Sequence, residues 1–298
     1  VTMILTRRGF SALVGALAAG GALARPGIAL AAGKADKDLG GTLAALEKRI
    51  DARLGVAVLD TATGRSWGHR ADERFPMCST FKALACGAVL ARVDEGKERL
   101  DRRVRYTAGD LVTYSPATKE GVGAGMTVAE ICEAAMTLSD NTAANLILDS
   151  LGGPVALTAF VRSLGDAVTR LDRRETELNT AIPGDPRDTT TPAAMAGSLR
   201  ALAVGDHLSA SSREQFNAWM VATRTGDARL RAGLPKDWRI GDKTGTGDHG
   251  TANDVAVIWP PGRKPLVVSV YVTQTKASLD DRNAAIAEVG RLVRELVV

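Results

Sequence analysis

The chain is poor in aromatic and in metal-binding side chains. Its 298 residues include 4 Trp, 3 Tyr, 5 Phe, 3 Cys and 3 His. His69, His207 and His249 are scattered, and none stands at a metal-ligand spacing, so neither a metal nor another cofactor is expected. Lys and Arg are interspersed with Asp and Glu, which leaves no basic track for a nucleic-acid backbone. Long apolar runs are also missing. Ala12 to Leu23 is too short to cross a bilayer comfortably. It follows Thr6-Arg7-Arg8-Gly9-Phe10 and precedes the small residues of Ala29-Leu30-Ala31. Residues 1–31 therefore read as a signal peptide, with the paired arginines favouring twin-arginine export. The expected destination is the periplasm or the medium, with no membrane anchor after cleavage. Arg7, Arg8 and Arg25 carry three of the four net positive charges, so the mature chain would be close to neutral.

Three cysteines are an odd number for an exported protein, where a pair can oxidise. Cys78 abuts a candidate reactive serine, so Cys86–Cys132 is the more economical bridge. Closing that loop would stabilise the fold by roughly 4 kcal/mol on the chain-entropy model. Three buried free thiols are the alternative.

Strand signals lie at both ends of the mature chain and helix signals between them. Gly55-Val-Ala-Val-Leu59 and Gly64-Arg-Ser-Trp67 flank a hairpin turn. Asp254 to Trp259 and Leu266 to Val272 flank Pro260-Pro-Gly-Arg-Lys-Pro265, another antiparallel pair by their Val and Ile content. Trp238 to Thr246 reads as a further strand, and Arg282 to Val298 as a helix with an apolar stripe. Thr80 to Ala91 has the uncharged Ala/Leu composition of a buried helix. Thr127-Val-Ala-Glu130 is a capping-box start. Helical patterns follow over residues 141–151, 154–164, 192–204 and 211–222. The expected architecture joins an α/β part to an all-α part. An antiparallel five-stranded sheet flanked by helices is contributed by residues 32–72 and 223–298. A helical domain, residues 73–222, is inserted between them, with the active site between the two.

Four short patterns carry chemistry. Ser79-Thr-Phe-Lys82 sets a hydroxyl and an amine one helical turn apart on one face. A serine needs a base to become a nucleophile, and a lysine serves only when burial or nearby positive charge lowers its pKa. The apolar stretch after Lys82 supplies that burial. Ser139-Asp-Asn141 ends one helix and opens another, so its hydroxyl and amide can reach a cleft while Asp140 caps the second helix. Lys243-Thr-Gly245 offers a cation and a hydroxyl on a strand whose Gly245 admits a close approach, a combination suited to a carboxylate. Arg170 to Asp188 is rich in Arg, Asp and Glu and broken by Pro183 and Pro186. It reads as a compact Ω-type loop tied by Arg–Asp pairs, in which Glu175 and Asn179 can hold a water.

With these motifs, Tyr114-Ser-Pro116, Met136 to Asn145 and Arg170 to Asn179 make the chain resemble the class A serine β-lactamases over essentially all of the mature sequence. The resemblance implies that Ser79 is acylated by a β-lactam and that Lys82 and Glu175 share the proton transfer. It implies that Glu175, with Asn179, activates the hydrolytic water, and that Ser139 relays a proton to the ring nitrogen. The backbone N–H groups of Ser79 and Thr246 would form the oxyanion hole. Lys243, Thr244, Gly245 and Thr246 would line the substrate carboxylate site, with Asn141 beside them and Tyr114 at the entrance. Partners are small-molecule β-lactams, and a monomer is expected. Ala252 stands where many relatives carry an arginine, and Arg229 matches the alternative arginine. Gly247 stands where carbapenem-hydrolysing relatives have a cysteine bridged to the counterpart of Cys78, so that bridge cannot form. The nearest rival is a penicillin-binding D-Ala-D-Ala peptidase, which shares Ser-x-x-Lys and Lys-Thr-Gly but lacks the base for deacylation.

Overall fold

The computed structural model describes residues 34–296. The expected signal peptide, residues 1–31, lies outside the described residues. Five strands form one antiparallel sheet in the order β2-β1-β9-β8-β7. They are β1 (Arg53–Asp60), β2 (Ser66–His69), β7 (Arg239–Gly247), β8 (Thr251–Trp259) and β9 (Leu266–Thr273). Short strands β3 (Phe75–Pro76) and β6 (Thr189–Thr190) pair with each other, as do β4 (Arg103–Val104) and β5 (Met126–Thr127). Strands from the two ends of the chain meet where β1 lies against β9, with Val56 opposite Val270.

Period-two alternation splits the sheet between two cores. Val255, Val257, Val267 and Tyr271 face the helices of the middle of the chain. Ala256, Ile258, Val268, Val270 and Val272 face the other way, onto α1 (Lys34–Arg49) and α9 (Leu279–Glu295). The sequence reading missed α1, because Gly40 and Gly41 weaken the helical signal. Leu39, Leu43 and Leu46 nevertheless form a buried stripe on it.

The middle helices are α2 (Phe81–Asp94), α3 (Val128–Thr137), α4 (Asn141–Leu151), α5 (Pro154–Ser163), α6 (Pro192–Ala203) and α7 (Ala210–Val221); α8 (Leu230–Gly233) precedes β7. Every residue of α2 from Phe81 to Leu90 is buried, as expected for a helix apolar all round. Burying each large apolar side chain there contributes about 1.5–3 kcal/mol. Thr127 and Glu130 form the capping box at the head of α3, with Glu130 N donating to Thr127 Oγ1 at 3.2 Å and Thr127 N to Glu130 Oε2 at 2.7 Å.

The disulfide expected between Cys86 and Cys132 is not formed; all three cysteines are buried free thiols. Packing α2 on α3 brings the pair together, but Cys86 Sγ donates to the carbonyl of Cys132 at 3.6 Å, so the sulfur is directed at backbone. The Cys86 thiol beside it and burial together hold the Cys132 thiol protonated, well above its ordinary pKa.

Candidate active site

The site begins where a short 3₁₀ turn, Cys78–Thr80, runs into α2. Asn253 on β8 fixes that turn by donating from Nδ2 to the carbonyls of Pro76 at 2.9 Å and Met77 at 3.1 Å. Ser79 Oγ then donates to Glu175 Oε1 at 3.2 Å. Lys82, one turn further on, is fully buried. Its Nζ lies 2.9 Å from Glu175 Oε1 and donates to the Ser139 carbonyl at 2.8 Å and to Asn141 Oδ1 at 2.6 Å. Burial lowers the Lys82 pKa, and the Glu175 charge opposes that shift. The apolar wall anticipated from the sequence of α2 therefore acts as expected, but a carboxylate sits inside it.

Ser139 has a positive φ of 60°, which turns the chain sharply between α3 and α4. Asp140 caps α4 through Ala143 N at 2.9 Å, and its second oxygen accepts from Ala117 N at 3.0 Å and Thr118 N at 2.9 Å. One buried carboxylate thus joins the Ser139-Asp-Asn141 turn to the loop after Tyr114. Asn141 strengthens that junction, donating from Nδ2 to the Thr113 carbonyl at 2.8 Å. Tyr114 itself is 57% exposed at the rim.

The charged loop expected over residues 170–188 is closed by Asp188, which is fully buried. Arg173 Nε donates to Asp188 Oδ2 at 2.5 Å, and Asp172 N to Asp188 Oδ1 at 2.7 Å. Asn145 on α4 grips the catalytic segment from behind. Its Oδ1 accepts from Glu175 N at 3.0 Å and its Nδ2 donates to the Glu175 carbonyl at 3.0 Å. Asn179 Nδ2 donates to Glu175 Oε2 at 2.5 Å, so the two carboxylate oxygens are held by different partners.

On the opposite wall, Lys243 Nζ donates to Ser139 Oγ at 3.0 Å and to the Thr244 carbonyl at 2.7 Å. Burial, with the Lys82 charge added, lowers its pKa to about 7. Arg229 lies just ahead of α8 and is 5% exposed. It donates to the carbonyls of Gly245 at 2.9 Å and Asn253 at 2.5 Å, to Thr246 Oγ1 at 2.8 Å and to Asn283 Oδ1 at 2.9 Å. Ala252 lies opposite Thr246 in the sheet, so the guanidinium beside Thr246 comes from Arg229. Thr225 reaches the Thr244 hydroxyl at 2.6 Å.

A cleft of about 370 Å³ opens between these walls and is lined by Ser79, Tyr114, Ser139, Asn179, Arg229 and Thr246, among others. A second cavity, about 350 Å³, lies among Arg53, Arg74, Arg173 and Arg187 and contains none of the residues expected to act in catalysis or substrate binding. Of the residues singled out from the sequence for catalysis and substrate binding, Ser79, Tyr114, Ser139, Asn141, Asn179, Arg229, Thr244, Gly245 and Thr246 line the first cleft, while Lys82, Glu175 and Lys243 are buried against them. Asn145, Thr225, Asn253 and Asn283 were not assigned roles there. Asn145 lies inside a motif already quoted, whereas the other three are contributed by segments that only folding brings near. At Gly247 a Cβ would come within 2.6 Å of Cys78 Sγ and of the Asn179 carbonyl oxygen, so this strand end is packed too tightly for a side chain.

Among the described residues, no cluster of three or more His, Cys, Asp or Glu could hold a metal ion, and no single helix is long and apolar enough to cross a membrane. The family model described as "Beta-lactamase enzyme family" matches residues 39–297. Beta-lactamase AST-1 of Nocardia asteroides is 57% identical over 250 residues, covering 84% of this chain and 81% of its own. Beta-lactamase L2 of Stenotrophomonas maltophilia is 47% identical over 303 residues, 99% of this chain and 100% of its own. An ancestral class A β-lactamase reconstructed for Gram-negative bacteria superposes with a TM-score of 0.86 at 70% identity, covering 87% of this chain and 99% of that one. The "Putative Class A Beta-Lactamase PenP" of Rhodopseudomonas palustris superposes with the same score at 62% identity, covering 87% of this chain and 100% of that one. The family model and these relatives agree: the chain belongs to the class A serine β-lactamases, hydrolases that open the β-lactam ring.

Proposed function

We propose that the enzyme turns over penicillins and cephalosporins through an acyl-enzyme on Ser79. The observation that carries this reading is the contact network of Glu175: Ser79 Oγ, Lys82 Nζ and Asn179 Nδ2 all meet its carboxylate. In acylation, Ser79 Oγ bonds to the lactam carbonyl carbon while its proton passes to Glu175, the group to which that hydroxyl already donates. Lys82 balances the buried carboxylate. The C–N bond breaks as Ser139 Oγ, which accepts from Lys243, hands a proton to the ring nitrogen. Lys82, with Nζ 2.9 Å from Glu175 Oε1 and 3.4 Å from Ser139 Oγ, then relays the proton from Glu175 to Ser139, so that Glu175 is again a base. Backbone N–H groups of Ser79 and Thr246 stabilise the oxyanion, each worth roughly 3–4 kcal/mol. In deacylation, a water held between Glu175 and Asn179 loses its proton to Glu175 and attacks the ester carbonyl, and the bond to Ser79 Oγ breaks as Glu175 passes that proton to it. Lys243 and Arg229, with the hydroxyls of Thr244 and Thr246, bind the substrate carboxylate.

The same network argues against the D-Ala-D-Ala peptidase reading, since a trapped acyl-enzyme requires that no such base be present. The insertion of a helical domain, residues 73–222, between residues 32–72 and 223–298 accounts for a cleft with one catalytic wall and one binding wall. Export as a monomer, directed by residues 1–31, suits an enzyme that meets its substrates outside the cytoplasm. Fractionating expressing cells and sizing the mature protein would check this, and a cytoplasmic or dimeric enzyme would rule it out. Gly247 leaves the strand end unclamped to Cys78, so carbapenem hydrolysis is expected to be slow.

Glu175→Ala tests the reading most directly. Incubated with benzylpenicillin, the variant should gain the mass of one substrate and keep it, while the parent returns at once to its own mass. Rapid loss of the adduct in the variant would remove Glu175 from deacylation. Steady-state rates on a penicillin, a cephalosporin and a carbapenem test the spectrum. A carbapenem kcat/KM within about tenfold of the penicillin value, roughly 1.4 kcal/mol in barrier, would contradict it.

A further inference from the structure

Behind the binding wall, two carboxylates stand on the sheet face turned away from the catalytic helices. Asp254 on β8 lies opposite Thr244 on β7, and Asp242 on β7 lies opposite Ala256 on β8. They are diagonal neighbours on one face, a spacing of roughly 7–8 Å between such positions and less between their side chains. On its other side Asp254 meets Val270 of β9. Both carboxylates are fully buried. Asp242 is paired with Arg231. Asp254 accepts a single hydrogen bond, from Leu230 N at 3.1 Å. One oxygen of each, Asp242 Oδ2 and Asp254 Oδ1, has no hydrogen-bond partner among the described residues.

We propose that Asp254 is a positioning residue for substrate recognition: as a neutral acid it anchors the backbone at Leu230, and so aims the guanidinium of Arg229 at the carboxylate pocket. The proposal rests on the reading of Arg229 as a carboxylate anchor. The donors of Arg229 go to Gly245, Asn253, Thr246 and Asn283, and none goes to Asp254 directly behind it. An ionised carboxylate there would draw those donors away from Thr246 and cancel part of the attraction for an anionic substrate. A carboxylate buried with one N–H donor and no cation in contact is instead kept protonated, because desolvation outweighs that one bond.

The surrounding charges act in the same sense. From β7, Asp242 faces Asp254 and opposes its ionisation, while Lys243 favours it. Arg229 also favours it, but burial and Arg282 of α9 weaken Arg229 as a cation. The net effect pushes Asp254 well above the carboxylate range, with burial the leading cause. Asp242 rises only to about 6, because Arg231 counters its burial even though Asp227 adds to the rise. Of the two carboxylates, Asp254 is the one pushed further toward its neutral form.

The experiment is a cycle of Asp254→Ala and Asp254→Asn in the parent and Arg229→Ala backgrounds, read on benzylpenicillin and its methyl ester. Asp254→Ala should raise KM for the acid about tenfold, change kcat by less than about threefold and leave the ester nearly unaffected. Asp254→Asn keeps the acceptor for Leu230 N and the neutral charge, so it should restore most of the loss. In Arg229→Ala, neither change should matter further. Infrared difference spectra of the parent against Asp254→Asn should also show the loss of a protonated-carboxyl C=O band. Equal losses on acid and ester, failure of Asn to rescue, or absence of that band would overturn the proposal. If Arg229→Ala itself weakens acid and ester alike, the anchor assignment falls first and takes this one with it.

Discussion

Lys82 and Lys243 both reach the Ser139 hydroxyl and both are fully buried, yet they are solvated by the protein in different ways. Lys82 has a carboxylate, a carbonyl and an amide oxygen within 2.9 Å. Lys243 has a hydroxyl and a carbonyl and, among the described residues, no carboxylate in contact. Burial lowers the pKa of both, but for Lys82 the Glu175 charge opposes the shift, and for Lys243 the Lys82 charge adds to it. In the proposed mechanism the first lysine, complete before substrate arrives, serves proton transfer. The second is a cation short of an anion, and the proposed role of the substrate carboxylate is to supply what it lacks. The difference lies less in the residues than in what each wall contributes: a loop carrying Glu175 on one side, a bare strand edge on the other.

The sharpest way to break this comparison is to remove Lys82. Lys82→Ala should cut the acylation rate by about 10²–10⁴-fold, the range for a lost group in proton transfer. The loss should be equal for a penicillin and its methyl ester, since Lys82 faces the reacting bond and not the carboxylate. Stopped-flow acylation on both substrates measures it, and thermal unfolding checks that the now unpaired Glu175 has not unfolded the protein. A loss confined to the acid would place Lys82 with Lys243.

Lys243→Ala is the complementary test and should have a smaller effect. A charge-assisted contact is worth about 1.5–3 kcal/mol, so kcat/KM for the acid should fall roughly 10- to 150-fold. The ester should lose much less. Steady-state kinetics on the pair decide it, and equal losses would mean that Lys243 acts mainly by supporting Ser139.

Much of this division was legible in the sequence, and the reasons are local. Ser79 and Lys82 are three residues apart on one helix, so their shared face follows from helical geometry. Asp140 ahead of a helical pattern reads as a cap because capping depends on near neighbours. The Arg–Asp closure of the loop was legible as a charge-rich stretch broken by Pro183 and Pro186. What escaped was contributed by distant segments. Asn283 meets Arg229 from a helix whose sequence shows only an apolar stripe, and Asn253 pins the nucleophile's turn from a strand that reads as plain core. The sulfur geometry at Cys86 and Cys132 escaped as well, since proximity of two cysteines does not fix where a thiol points.

Asn145 sharpens the catalytic side alone. It touches no reacting atom, but it holds both the N–H and the carbonyl of Glu175. Asn145→Ala leaves those two backbone groups without their partner, at about 1–3 kcal/mol in stability, and loosens the base. Deacylation should slow by about tenfold, with KM for the acid and the ester changed in the same ratio. Pre-steady-state bursts measure the step. An effect on the acid alone would mean that the loop also shapes the binding wall.

The smallest effect expected is on pH dependence, and it separates the two lysines without deleting either. Lys243 is cationic below its pKa of about 7 and loses its charge above it in the free enzyme. Capture of an anionic substrate, read as kcat/KM, should therefore decline as pH rises through that value. The ester should show little of the decline. Arginine keeps its charge throughout, so Lys243→Arg should flatten the alkaline limb for the acid even if its absolute rate is lower, by about two- to fivefold if the longer guanidinium still reaches Ser139. Arg229 cannot produce this limb, because an arginine starts so far above neutrality that burial alone leaves it charged. Profiles of kcat/KM from pH 5.5 to 9 on both substrates, for parent and variant, carry the test. An alkaline limb that survives in Lys243→Arg would assign the titration to the Lys82–Glu175 side, and the two walls would then share their proton as well as their cleft.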